Sequence, residues 1–251
     1  MSSKFKLKPL ATSNGAAPAG ARTYHQHRAR QRRRILDAAE KLFVERGIGR
    51  VTMADIVSAS GLRASTLYQY FSSKEDIAWA ILGEFIEELA AESKMATGAA
   101  KTAFEKIAAR LEAMAVALAM KPEKVRFMAQ FDAMYAQKWP AERLSALEAR
   151  IDPLGVRNFS ELVREGIADG SLRPDLDPDL TLPAVINALV GAQRLLAQSK
   201  ERIEQEYGQP GERLFREAIR VILLGLRRPV EATESKRNET GPMRRPNKQS
   251  R

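Results

Sequence analysis

Along most of the chain, apolar residues recur with the spacing of helices buried on one side. Ile35, Ala39, Leu42 and Phe43 form one stripe. Phe104, Ile107, Ala108, Leu111, Met114, Ala115 and Leu118 keep an i, i+3, i+4, i+7 rhythm, and Leu214, Ala218, Val221, Ile222 and Gly225 repeat it. The alternation expected of half-buried strands is missing. Helix boundaries are also legible. Thr52 stands three residues before Asp55, and Ser72 three before Glu75, the spacing of capping boxes. Asp177 followed by Pro178 reads as an N-cap with proline at the first helical position. Gly47, Gly61 and Gly170 fall where helices should stop. The pattern predicts an all-α chain of about nine helices.

The two ends lack this rhythm. The first residues are rich in Ala, Gly, Ser and Pro, and residues 1–27 are expected to form a disordered basic tail. Residues 229–251, with Pro242, Pro246 and scattered charge, are expected to form another. Between them the pattern divides into a short module over 28–80 and a larger body over 81–228.

Charge sharpens this division. The chain carries 41 Lys and Arg against 31 Asp and Glu, a net charge of +10. Residues 28–80 hold ten bases and six acids, whereas 81–228 hold 21 bases and 22 acids. The surplus therefore sits in the tails and the N-terminal module, the footprint of a polyanion-binding unit on a neutral body.

Other chemistry is excluded by what is missing. With no cysteine there is no disulfide, thiolate nucleophile or cysteine metal site. The only histidines, His25 and His27, precede the folded body, which removes a Ser-His-Asp triad or a multi-histidine zinc site from it. The acidic cluster Asp175, Asp177 and Asp179 reads as turn and helix-cap chemistry. No catalytic activity, cofactor or metal is expected. The longest apolar run, Ala113 to Met120, falls far short of the roughly 20 residues that span a bilayer. No signal peptide or membrane anchor is read, and a cytoplasmic location is expected.

Within 28–80, a basic first helix runs from about Arg28 to Glu45. Met53–Ser60 forms a short helix, Gly61-Leu62 a tight turn, and about Ala64 to Phe71 a second short helix. Two short helices about a glycine turn make a helix-turn-helix, with Ile56 and Leu67 in the shared core. The polar face of the second helix is left to enter a major groove.

The stretch from Arg34 to Leu82 resembles the DNA-binding domain of the tetracycline-repressor family of bacterial transcription regulators. The resemblance rests on Ile35-Leu36-Asp37-Ala38-Ala39, Leu42-Phe43, Gly47, Thr52-Met53-Ala54-Asp55-Ile56, Gly61, Thr66-Leu67-Tyr68-Gln69-Tyr70-Phe71 and Ser73-Lys74-Glu75. Gly170-Ser171-Leu172-Arg173-Pro174-Asp175-Leu176-Asp177 is similar to a linker of that family. The resemblance implies roles by position. Thr52 and the helix-start amides would meet a phosphate. Ala64, Ser65 and Gln69 would lie nearest base edges, where the Gln69 carboxamide can pair with adenine or run along the groove. Thr66 would bond a phosphate. Tyr68 and Tyr70 would reach phosphates or pack on a thymine methyl, Tyr70 having the alternative of a core position with a wet hydroxyl. Lys74 would neutralise a phosphate or sit as a solvated cap neighbour. Two positions depart from the family pattern. Val57 replaces a small residue between the helices, and Arg63 replaces a capping serine but can itself reach a phosphate or a guanine edge. The basic residues before Ile35 could reach an adjacent minor groove as a flexible arm.

For 81–228 the resemblance implies an effector-binding and dimerising helical bundle. Leu182 to Leu196 and Leu214 to Leu226 are apolar on more than one face, which suits a four-helix homodimer interface or central core helices. Met114, Phe127, Met128, Phe131, Met134, Tyr135 and Phe159, with Met120 and Trp139 nearby, gather adaptable side chains suited to a pocket or to plain core. The expected partners are double-stranded DNA, a second copy of the chain and a small, mostly apolar effector. The expected function is a sequence-specific regulator, a repressor released from a palindromic operator by that effector. The competing reading is a non-specific DNA-coating or architectural protein.

Overall fold

The computed structural model describes residues 19–135, 139–151 and 158–229. Eleven α-helices, against the nine or so expected, and one 3-10 turn occupy these residues. They are α1 (Ala19–Arg46), α2 (Met53–Ser60), α3 (Ala64–Tyr68), α4 (Lys74–Thr97), α5 (Ala103–Met120) and α6 (Pro122–Met134). Then follow α7 (Ala141–Ile151), α8 (Phe159–Ala168), α9 (Thr181–Gln198), α10 (Lys200–Tyr207) and α11 (Gly211–Leu226). The 3-10 turn is Ile48–Arg50. Among the described residues the only β pairing is one antiparallel bridge, Leu172 to Arg227. There the Arg173 amide donates to the Leu226 carbonyl at 3.1 Å, so the α8–α9 connection clips the end of α11. No helix of the described residues is long and apolar enough to cross a membrane.

Four boundaries differ from expectation, one of them being that α3 stops at Tyr68 rather than near Phe71. α1 begins at Ala19 rather than near Arg28, so part of the segment expected to be a tail is helical, while 1–18, and 230–251 of the other expected tail, lie outside the described residues. The reason is local. Tyr24 and Arg28 extend the helix past the module, and the Arg28 guanidinium lies over the Tyr70 ring, 5.5 Å from its centre. The cap of α4 is Ser73, not Ser72, since the Ser73 side chain accepts from the Asp76 amide at 3.1 Å. Asp177 does not open α9 directly. Its carboxylate accepts from the amides of Asp179 and Leu180, and the helix starts only at Thr181. Elsewhere the caps follow the sequence. Thr52 and Asp55 close a full capping box on α2, and Gly61 ends that helix at φ 62°, a conformation that glycine adopts without strain.

Side chains sort into two cores. One holds Ile35, Leu36, Ala39, Leu42 and Phe43 of α1, Ile56, Leu67, Phe71, and Ile77 to Leu82 of α4, and it also takes in Phe127 and Phe131 of α6 and Leu147 of α7. The other joins α5, α8, α9 and α11 through Ile107, Leu111, Val163, Leu189, Phe215 and Ile219. α4 runs unbroken through residue 80, and α6 packs one side on α1 and α4 and another on α9.

This division separates the residues expected to line one pocket. Phe127 and Phe131 are fully buried in the first core, with Met128, Met134 and Tyr135 packed against it. Met114 and Phe159 pack against the second. Phe131 packs edge to face, and Tyr135 at a tilt, against Trp79, whose indole N–H donates to the Tyr135 hydroxyl at 2.9 Å. A helix has several faces, and the methionine and aromatic positions of α6 point toward α1 and α4 rather than toward α5 and α8. The seven residues do not form one lining.

Candidate nucleic-acid interface

The geometry of α2 and α3 presents one polar surface. Ile56 and Leu67 have no exposure and hold the two helices together. The α3 helix has only five residues, and Arg63 precedes it without a side-chain cap bond. What faces outward is Arg63, Ala64, Ser65, Tyr68 and Gln69, with Thr66 and Tyr70 half-buried at the margins. Tyr68 is 55% exposed, although its neighbour Leu67 is wholly enclosed. The Tyr68 ring therefore takes no part in the core that holds α3.

Several expected contacts are already engaged. The Thr52 hydroxyl accepts from the Asp55 amide and donates to the Asp55 carboxylate at 2.6 Å, and the Thr52 amide donates to the same carboxylate. The Thr52 side chain and the Thr52 amide therefore serve the cap. The Thr52 hydroxyl and amide bonds, the hydroxyl bond first, hold the Asp55 carboxyl below its ordinary range. The next amides of α2 remain available to an anion by helical geometry. The Tyr70 hydroxyl donates to Gln31 Oε1 at 2.8 Å, tying the turn after α3 to α1.

Lys74 is engaged within the chain rather than solvated. Its Nζ donates to the carbonyls of Ile48, Gly49 and Val51 at 3.0, 2.9 and 2.8 Å. All three ammonium donors are used. The lysine closes the 3-10 turn onto the start of α4, and this contact could not be read from spacing because the turn folds its carbonyls together only in three dimensions.

The arginines of α1 divide in the same way. Arg32 and Arg33 meet Glu84 of α4, and Arg34 donates to the Ser60 carbonyl at 2.7 Å, capping the end of α2. Arg28 instead borders α3. Tyr24, His27, Arg28 and Gln31 line a cleft of about 500 Å³ together with Thr66, Gln69 and Tyr70. The extended start of α1 thus adds polar groups beside α3 as part of a helix.

Comparison with known proteins agrees with this geometry. Residues 35–81 match the profile of bacterial regulatory proteins of the tetR family. Over 165 residues the chain is 31% identical to the HTH-type transcriptional repressor KstR2 of Mycolicibacterium smegmatis, covering 61% of this chain and 72% of that one. It is 43% identical over 56 residues to the HTH-type transcriptional repressor ComR of Escherichia coli, covering 22% of this chain and 27% of that one. The fold is similar to the solved structure of the ketosteroid transcriptional regulator KstR2 of Mycobacterium tuberculosis. That match has a TM-score of 0.54 and 23% identity, over 79% of this chain and 95% of that one. It is also similar to the fatty acid degradation regulator FadR from Bacillus halodurans, with a TM-score of 0.59 and 20% identity over 79% and 97% of the two chains. With a helix-turn-helix whose core is closed and whose polar face is open, the chain belongs to the tetR family of bacterial regulatory proteins and is a DNA-binding transcription regulator.

Proposed function

We propose that this regulator is a repressor, that it grips a palindromic operator as a homodimer, and that a small, mostly apolar molecule in the helical body releases it. The observation that carries the DNA reading is the exposed face of α3, with Arg63, Ser65, Tyr68 and Gln69 outward over a fully buried Leu67. Repression is supported by the relatives, among them KstR2 and ComR, which are named repressors. An apolar effector is supported by the ketosteroid and fatty-acid regulators of the same fold.

A second copy is supported by α9 and α11. Ala184, Ala188, Gly191 and Leu195 form one exposed stripe, and Val221, Leu224 and Gly225 form another. A Cβ placed on Gly191 or Gly225 would meet nothing within 4 Å, so these small positions leave room for a neighbouring helix. Two recognition helices about 34 Å apart would then read a two-fold operator.

The route of the switch runs through α6. On one side the Gln130 carboxamide donates to the Val44 carbonyl of α1 at 3.4 Å. On the other, Asp132 pairs with Arg194 of α9. A ligand that prefers one placement of α9 would bias α6 and hence α1 and α4, provided that it binds the two arrangements unequally.

The test is fluorescence anisotropy on DNA from upstream of the protein's own gene, at physiological salt with excess competitor DNA. Binding should survive the competitor and be lost in Tyr68→Ala. Gln69→Ala should cost about 1–3 kcal/mol and relax preference at one base position. Binding that competitor abolishes, with Tyr68→Ala unchanged, would support the architectural reading instead.

A further inference from the structure

Arg110 of α5 is half-buried in the helical body, with two of its three guanidinium nitrogens met by nothing there. Its Nε and Nη1 are closed to solvent and have no hydrogen-bond partner. Other arginines of the body differ. Arg194 pairs with Asp132, Arg216 with Glu112, and Arg126, which also has a closed Nε, reaches Glu123 through Nη2. Burial pushes the Arg110 guanidinium below its ordinary pKa, with no neighbouring charge to offset it.

The register of α5 against α8 locates this group. The Ala103 amide donates to the Asp169 carboxylate at 2.9 Å, and one turn on Lys106 pairs with Glu165. Advancing along α5 therefore means retreating along α8, and Arg110 comes level with the turn of Glu161 and Leu162. No carboxylate of the described residues pairs with it there. Met114 follows one turn later on the same face. The enclosed part of the surroundings is apolar, since Ile107, Leu162 and Val163 are at most 6% exposed, while the Glu161 carboxylate at this level is exposed and makes no ion pair with Arg110. Unpaired donors in such a place cost folding free energy, and the chain alone does not recover it.

We propose that Arg110 is the anchor for the carboxylate of an amphipathic organic acid bound between α5 and α8. The carboxylate supplies the acceptors that the two closed donors lack, and the apolar part of the acid lies against Met114 and Leu162. This rests on the reading of the body as an effector site, and it narrows that effector from an apolar molecule to an apolar acid. The guanidinium keeps its charge at any physiological pH, so the site selects the ionised acid over the matching alcohol.

The experiment is thermal unfolding and calorimetric titration of the full chain with two acids of different shape, decanoate and cyclohexylacetate, each compared with its alcohol. At least one acid should raise the melting temperature of the wild type, and neither alcohol should. Arg110→Met should bind that acid ~10- to 100-fold more weakly, the loss expected for one charge-assisted contact. Arg110→Lys should fall between. Without ligand, Arg110→Met should melt no lower than the wild type, because it removes an unmatched charge. The proposal is overturned if neither acid stabilises the wild type, if alcohols match acids, or if Arg110→Met binds equally well. It is also overturned if Arg110→Met melts lower without ligand. Operator release is read separately by anisotropy. An acid that binds through Arg110 and leaves DNA binding unchanged would keep the anchor and overturn the release mechanism.

Discussion

The ring of Phe127 on α6 lies 6.2 Å from that of Phe43 on α1, centre to centre, and is inclined to it by only 24°. The contact makes α6 part of the core beneath the helix-turn-helix. Phe131, one turn on, meets Trp79 of α4 edge to face at 4.9 Å. The helix-turn-helix and α6 therefore share one core.

Phe127→Ala should cost about 3–5 kcal/mol of stability, since the cavity opens in a core with no exposed wall. Both tryptophans of the chain, Trp79 and Trp139, lie in this aromatic cluster, 5.5 Å apart. Their fluorescence reports the junction directly. A urea titration followed by tryptophan emission should show the loss, and circular dichroism should give the same midpoint. A cost under about 1 kcal/mol, or two separate midpoints, would mean that α6 is not integral to this core.

How much of this was readable in the sequence depended on the range of the interaction. The Thr52–Asp55 box, the Gly61 stop and the buried pair Ile56 and Leu67 were all legible because each is set within a few residues. The face of α3 was legible for the same reason. The role of Lys74 was not, because its acceptors lie 23 to 26 residues away in a turn whose shape no local pattern specifies. The methionine and aromatic positions of α6 were correctly seen as apolar, yet periodicity does not say which neighbour a face meets. The early start of α1 was missed because Ala, Gly and Pro composition outweighed the helix-compatible run that begins at Ala19.

Lys74→Met separates a structural lysine from a DNA ligand. Losing three carbonyl contacts should destabilise the fold by about 1–3 kcal/mol. If the ammonium met a phosphate, the slope of log affinity against log salt would fall by about 1. The expected result is a lower melting temperature with the salt slope unchanged. A reduced slope with normal stability would restore the phosphate role.

Gly225→Glu tests the face offered to a second copy. The added Cβ meets nothing within 4 Å, and replacing a glycine inside a helix removes a cost of up to about 1 kcal/mol. The folded monomer should therefore be unharmed, with helix content retained by circular dichroism. In a dimer, the same carboxylate would be pressed into an apolar interface without a partner. Light scattering should show a dimer for the wild type and a monomer for the variant, with weaker operator binding. A variant that stays dimeric would place the interface elsewhere.

Glu40 gives the protein a pH dependence of definite sign. It is half-buried on α1, and burial raises its carboxyl pKa against the opposing pull of Lys124 and Arg33, with Asp37 and Glu88 adding to the rise. Since the folded pKa is raised, the folded state holds this proton more tightly than the unfolded chain. The resulting stabilisation is complete below the unfolded value, about 4.3, and is lost as pH rises through the folded pKa. At pH 7 the ionised carboxylate is then a net burden, which a glutamine of the same size does not carry. Urea midpoints measured from pH 4 to pH 8 should place Glu40→Gln above the wild type at neutral pH, the gap closing as the pH falls toward 4. If the variant is instead less stable at pH 7, the attraction of Lys124 on α6 outweighs the burial of Glu40, and the pair would be a tether between α1 and α6 in its own right.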